Sequence, residues 1–92
     1  METSYIYIIS DGDSYKVGIS TDPAKRLEQL QTGSPKKLKV LETYEVPKDK
    51  IFKIEKECHT TLQTKFIKRG EWFHGATAFA IRILVDEICA RY

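Results

Sequence analysis

The sequence predicts an α+β fold, a small three-stranded antiparallel sheet flanked by helices in the order β-β-α-β-α-α. Three observations carry that expectation. Two β-branched and aromatic runs, Tyr5 to Ser10 and Tyr15 to Ile19, are separated by Asp11-Gly12-Asp13, whose residues tolerate positive φ, so they read as a hairpin. Ile51, Ile54, Cys58, Leu62 and Phe66 recur at spacings of three and four, the period of a helix with one buried face. The 92 residues, 41% hydrophobic and 30% charged, suit one modest core in a single domain, residues 1–92, and exclude disordered and collagen-like chains.

Taken in order, the first strand alternates so that Tyr5, Tyr7 and Ile9 share one face and Ile6 and Ile8 the other. In the second, Tyr15, Val17 and Ile19 oppose Lys16 and Gly18. One face is expected to be core and the other a site, with Gly18, which lacks a Cβ, open to a backbone or a phosphate. Ser20-Thr21-Asp22-Pro23 starts a helix, capped by Thr21 or Asp22 with Pro23 in the first turn. It runs from about Ala24 to Gln31, with Leu27 and Leu30 on one face, and ends at Thr32-Gly33-Ser34-Pro35. Leu38, Val40 and Leu41 lead into a third strand, Thr43 to Val46, and Pro47-Lys48-Asp49 turns into the long helix, about Lys50 to Phe66. Ile67 to His74 reads as irregular, with Trp72 and Phe73 a core plug and His74 at the surface. Thr77 caps a last helix reaching about Tyr92, with Phe79, Ile83, Val85 and Ile88 among its buried positions.

Charge and cysteine usage narrow the setting. No apolar stretch approaches a membrane span, because Arg82 interrupts the longest, and Met1-Glu2 does not open a signal peptide, so a cytoplasmic protein is expected. Cys58 and Cys89 lack partners at zinc spacing and read as buried thiols. The net charge of +2 is small, but Lys36, Lys37 and Lys39, then Lys48, Lys50, Lys53 and Lys56, then Lys65, Lys68 and Arg69 form three basic groups. Such groups are ordinarily solvated surface; around a site they neutralise phosphates.

Tyr5-Ile6-Tyr7 and Lys16-Val17-Gly18, followed by Arg26 on the first helix and Ile54-Glu55-Lys56-Glu57 on a later one, resemble the GIY-YIG nuclease superfamily over most of the chain. Tyr5 stands where the first tripeptide of that superfamily has glycine, and Lys16 where the second has tyrosine. The Lys16-to-Ser20 and Leu30-to-Pro35 strings, Glu55 with His59, and Gly70-Glu71-Trp72-Phe73 resemble a phage and bacterial branch in which this lysine is common. The resemblance implies a metal-dependent endonuclease that hydrolyses DNA with a single Mg²⁺ or Mn²⁺, with Tyr7 and Lys16 at the water, Arg26 at the phosphate and Glu55 at the metal.

The residue types suit those roles. Hydrolysis of a phosphodiester needs a nucleophilic water, a neutraliser for the phosphoryl oxygens and help for the leaving oxygen. A guanidinium pairs with phosphate in two places, and a hard cation takes oxygen ligands while keeping several waters. Lys16 serves either as base or as fixed phosphate contact. Glu55 and His59, four apart, share a helix face, whereas Glu57 and Glu71 are alternative metal carboxylates. Gly18, Lys36 and Lys37 complete the expected substrate contacts. The partner is DNA or RNA, with specificity supplied by a partner, a homodimer or nucleic-acid structure. A competing reading, favoured by the loss of the second-motif tyrosine, is a catalytically impaired module that binds nucleic acid or protein.

Overall fold

The computed structural model describes residues 3–92 and shows an α+β architecture whose sheet has five strands. Strand β1 (Ser4–Ser10) and β2 (Tyr15–Ser20) form the hairpin, followed by α1 (Pro23–Thr32), β3 (Lys39–Val46), α2 (Ile51–Gln63), β4 (Ile67–Arg69), β5 (Trp72–His74) and α3 (Ala78–Ala90). The sheet order is β3-β1-β2-β5-β4 and every pairing is antiparallel. The expected three-stranded sheet is therefore only its larger half. The segment read as irregular is a second hairpin, in which Arg69 pairs with Trp72 across the two-residue turn Gly70-Glu71. Gly70 has φ +61°, a conformation that glycine adopts without strain, so the turn was encoded by a single residue.

Local chemistry explains the first turn and the caps. Asp11 Oδ1 accepts from the Asp13 and Ser14 amides at 2.9 and 2.7 Å, while Gly12 takes φ +102°. Asp22, of the two expected candidates, caps α1 by accepting from Lys25 N at 3.1 Å, with Pro23 at the first position. Thr77 caps α3 through Ala80 N at 3.1 Å.

Both faces of the sheet are covered. Ile6, Ile8, Tyr15, Val17 and Phe73 pack with Ile51, Ile54, Cys58 and Leu62 of α2 and Ile81, Val85 and Ile88 of α3. On the opposite face Tyr7, Ile9 and Leu38 form a smaller cluster under Leu27 and Leu30 of α1, with Trp72 at its margin. The face expected to be purely a site thus carries a second, minor core. On α3 the expected Val85 and Ile88 are buried with Ile81, whereas Phe79 is 71% exposed and Ile83 41%, because residues two positions from Ile81 point away from the sheet. Helix α2 stops at Gln63, three residues short of the expected end, although Phe66 still packs on the main core. Cys58 and Cys89 are free thiols in contact between α2 and α3; the hydrogen bond that Cys58 donates to Cys89, together with burial, pushes the Cys58 thiol up. No helix among the described residues is long and apolar enough to cross a membrane.

Candidate functional site

Strand β5 pairs with β2 at Tyr15 and Lys16 only, so the β2 edge is uncovered from Val17 onward. A cleft of about 480 Å³ lies at this gap, where the two layers of helices reach the sheet edge from opposite sides. Tyr7 and Gly18 line it from the hairpin, Arg26 from α1, Glu55 and His59 from α2, and Lys68 and Glu71 from the second hairpin, with Lys16 at its floor.

Each side chain is placed by its element. Tyr7 and Gly18 are register partners on adjacent strands, and the Tyr7 ring lies flat across the glycine: a Cβ built on Gly18 would fall 2.6 Å from Tyr7 Cζ. The space left by the missing Cβ is taken by the tyrosine, so Gly18 is what allows Tyr7 to lie where it does, while Gly18 itself lines the cleft. Tyr7 is 2% exposed, yet no buried side-chain polar atom among the described residues lacks a partner and its hydroxyl makes no hydrogen bond, so that hydroxyl opens onto the cleft.

Helix α2 turns Ile54, Cys58 and Leu62 into the core, and the adjoining strip, one residue further on, carries Glu55 and His59 to the sheet edge. His59 Nε2 lies 2.7 Å from the Val17 carbonyl oxygen; a carbonyl can only accept, so Nε2 carries the proton and Nδ1 is the ring's acceptor. Its ring meets Phe73 edge-on, with centroids 5.3 Å apart and planes at 70°, and Lys68 Nζ stands 5.9 Å over the same ring. Phe73, fully buried, is therefore the platform beneath two cleft residues.

Lys16 is the one charged residue among the described residues that is buried, at 4% exposure, and its ammonium is ion-paired to Glu71 at the tip of the second hairpin. Lys16, through that hydrogen bond and its charge, holds the Glu71 carboxyl below the usual range; Arg26 and His59 add to the effect against partial burial. Glu71 is in this way occupied by Lys16. Glu57 is likewise engaged elsewhere, with Arg91 and the Tyr92 hydroxyl. Glu55 alone of the three candidate carboxylates lines the cleft without a protein partner. No group of three or more His, Cys, Asp or Glu among the described residues could enclose a metal. The donor set fits one hard divalent ion attached through a single carboxylate and otherwise hydrated.

Of the residues expected from the sequence, the fold brings Tyr7, Lys16, Gly18, Arg26, Glu55 and His59 to one cleft. It does not bring Lys36 and Lys37, which follow α1 beyond the cleft; Lys36 is ion-paired to Asp13 at 2.8 Å, a charge match made within the loops. Lys68 and the pairing role of Glu71 were missed. The signal for both was the Gly-X dipeptide between Ile67-Lys68-Arg69 and Trp72-Phe73-His74.

No curated protein and no solved structure matches the chain. The profile of the T5orf172 domain matches residues 4–89. This corrects the resemblance to the GIY-YIG superfamily, whose two tripeptides this chain already breaks at Tyr5 and Lys16. A match spanning nearly all of the described strands and helices places the chain in the T5orf172 domain family.

Proposed function

We propose that the chain is a metal-dependent endonuclease that hydrolyses phosphodiester bonds in DNA. The observation that carries this reading is the convergence, in one cleft, of a tyrosine hydroxyl, a guanidinium, two lysines, a histidine and one unpaired carboxylate drawn from five separate elements. Nothing in the packing of the core requires them to meet there. Membership of a domain family associated with DNA binding agrees with it.

Arg26, half-buried on α1 and only loosely held by Gln29 Oε1 at 3.3 Å, is placed to pair with the phosphoryl oxygens. Lys16, ion-paired to Glu71, acts as a fixed phosphate contact at the cleft floor and not as the base. Tyr7 Oη, pinned over Gly18, orients the attacking water, and His59, with its Nε2 proton committed to Val17, can accept a proton at Nδ1. Glu55 would hold the divalent ion. Such an ion, when bound, supplies Lewis-acid stabilisation of charge on the phosphoryl and leaving oxygens.

The test is nicking of supercoiled plasmid with Mn²⁺, with Arg26→Ala and Glu55→Ala alongside the wild type. Each substitution is expected to slow nicking by about 10²–10³-fold, as for loss of a preorganised charge at a transition state. Nicking that survives both changes would overturn the assignment. Salt-sensitive binding without any nicking would instead support a binding module on the same cleft.

A further inference from the structure

A second hollow, about 500 Å³, adjoins the first on the α1 side of the sheet. Its lining includes Trp72, Arg69, His74, Gln29, Pro35 and Leu38. Trp72 is the chain's single tryptophan, and it is half-buried: it packs against the minor core on one side and borders the hollow on the other. The Arg69 side chain makes no hydrogen bond or ion pair to any described residue. Asp11, the acidic group in the lining, is already satisfied: burial pushes its carboxyl up, but the Ser14 and Asp13 amides, the Ser14 hydroxyl and Lys36 outweigh this and hold it low.

The register ties this hollow to the cleft. Lys16 pairs with Trp72 and Trp72 with Arg69, so the three stand in one row across the same face of the sheet. Neighbouring strands lie about 4.8 Å apart. Lys16 opens into the cleft with Arg26, whereas Trp72 and Arg69, one and two strands further on, open into the second hollow. An aromatic ring one strand from a positive charge of the cleft, with an unpaired guanidinium beyond it, offers a stacking face flanked by two cations, the partners that a base and the backbone phosphates around it take.

We propose that the second hollow takes an unpaired base next to the scissile phosphate, stacked on Trp72 with Arg69 on the adjoining backbone, so that the substrate is a single-stranded or locally opened stretch of DNA. The base must leave its stack, because a paired base offers no face to a side chain that lies in a hollow. This rests on the reading of the first cleft as a phosphodiester site and names the substrate class of that site.

The single tryptophan makes the test direct. A labelled single-stranded oligodeoxynucleotide is titrated into the protein without divalent ion. Its anisotropy and the Trp72 emission are followed together. The same is done with an equal-length strand of abasic residues and with a blunt duplex. The expected result is quenching of Trp72 by the base-bearing strand, no quenching by the abasic strand, and affinity lower by about tenfold for each of the latter two. Arg69→Ala, on an exposed strand, weakens binding without removing the quench, and Trp72→Phe keeps most of the single-strand preference that Trp72→Ala loses. Strand binding with unchanged Trp72 emission, or equal affinity for the abasic strand, overturns this proposal and leaves the hydrolase reading intact. Binding and quenching without nicking in Mn²⁺ overturns the hydrolase and leaves this proposal intact; no binding to any of the three overturns both.

Discussion

Replacing Gly18 by alanine tests the packing on which the cleft depends. The added Cβ would stand 2.6 Å from Tyr7 Cζ and 3.1 Å from Cε2. Unstrained carbon contacts lie at about 3.5–4.0 Å, so the ring must retreat by about 1 Å. Little can give: Tyr7 is 2% exposed and lies against Ile9 and Leu38 beneath Leu27 and Leu30. Overpacking of this kind costs about 1–3 kcal/mol, offset by about 0.4–1 kcal/mol from the stiffer unfolded chain. The net loss expected in urea unfolding is about 1–2 kcal/mol, with the denaturant dependence unchanged and a Tm lower by several degrees. Tyr7→Phe removes the nearest atom, Oη, but leaves Cζ at 2.6 Å, so Gly18→Ala should cost less in that background without becoming neutral. In a Tyr7→Ala background the cost should vanish and turn into a small gain. A coupling energy below about 0.5 kcal/mol between Gly18→Ala and Tyr7→Ala would refute the reasoning. Displacing the hydroxyl by 1 Å should also slow nicking by about 10²-fold in Gly18→Ala.

Further outcomes follow from other parts of the structure. Gly70→Ala places a Cβ at φ +61° in the β4–β5 turn and should cost about 1 kcal/mol by urea unfolding, with nicking reduced more than stability because Glu71 leaves Lys16. The lowered Glu71 carboxyl means that the Lys16 pair contributes its full stability above the ordinary value of 4.5 and loses it as pH falls through the lower folded value; Glu71→Gln should therefore flatten the stability profile below that pH in thermal melts across an acid series. Asp22→Ala removes the α1 cap and should cost about 1 kcal/mol while leaving α2 and α3 intact by far-UV circular dichroism. In binding titrations against salt, Arg26→Ala should lower the slope of log affinity by about 1, whereas Lys36→Ala, already paired to Asp13, should leave it nearly unchanged.

Much of this fold was legible because its periods are strong. The alternation in Tyr5 to Ser10 separates Ile6 and Ile8 from Tyr7 and Ile9, as the two clusters do, although it left the second cluster unforeseen, and the spacing on α2 put Glu55 and His59 on a common helix face. What escaped notice was short or non-local. Strands β4 and β5 have three residues each, too few for alternation to show, and their existence hangs on one glycine. On α3, an apolar residue at nearly every position hid which face was turned inward, so Phe79 and Ile83 were assigned to the core in place of Ile81. At Gly18 a missing Cβ announces close approach, but only the cross-strand register says that Tyr7 is what approaches. The family resemblance was assembled from short strings scattered along the chain, whereas the T5orf172 match is one profile over residues 4–89.

The brief ladder between β2 and β5 has a thermal consequence. Only two register pairs hold the second hairpin to the sheet, and a single fully buried side chain, Phe73, anchors it from within. Strands β1 and β3, by contrast, are zipped along their whole length. Local opening at so short a seam needs less free energy than global unfolding. Lys68, Glu71, Trp72 and Arg69 all ride on the piece that opens, so warming should extinguish function while the β3-β1-β2 sheet still stands. The protein then has two melting temperatures, a lower one for what it does and a higher one for what it is.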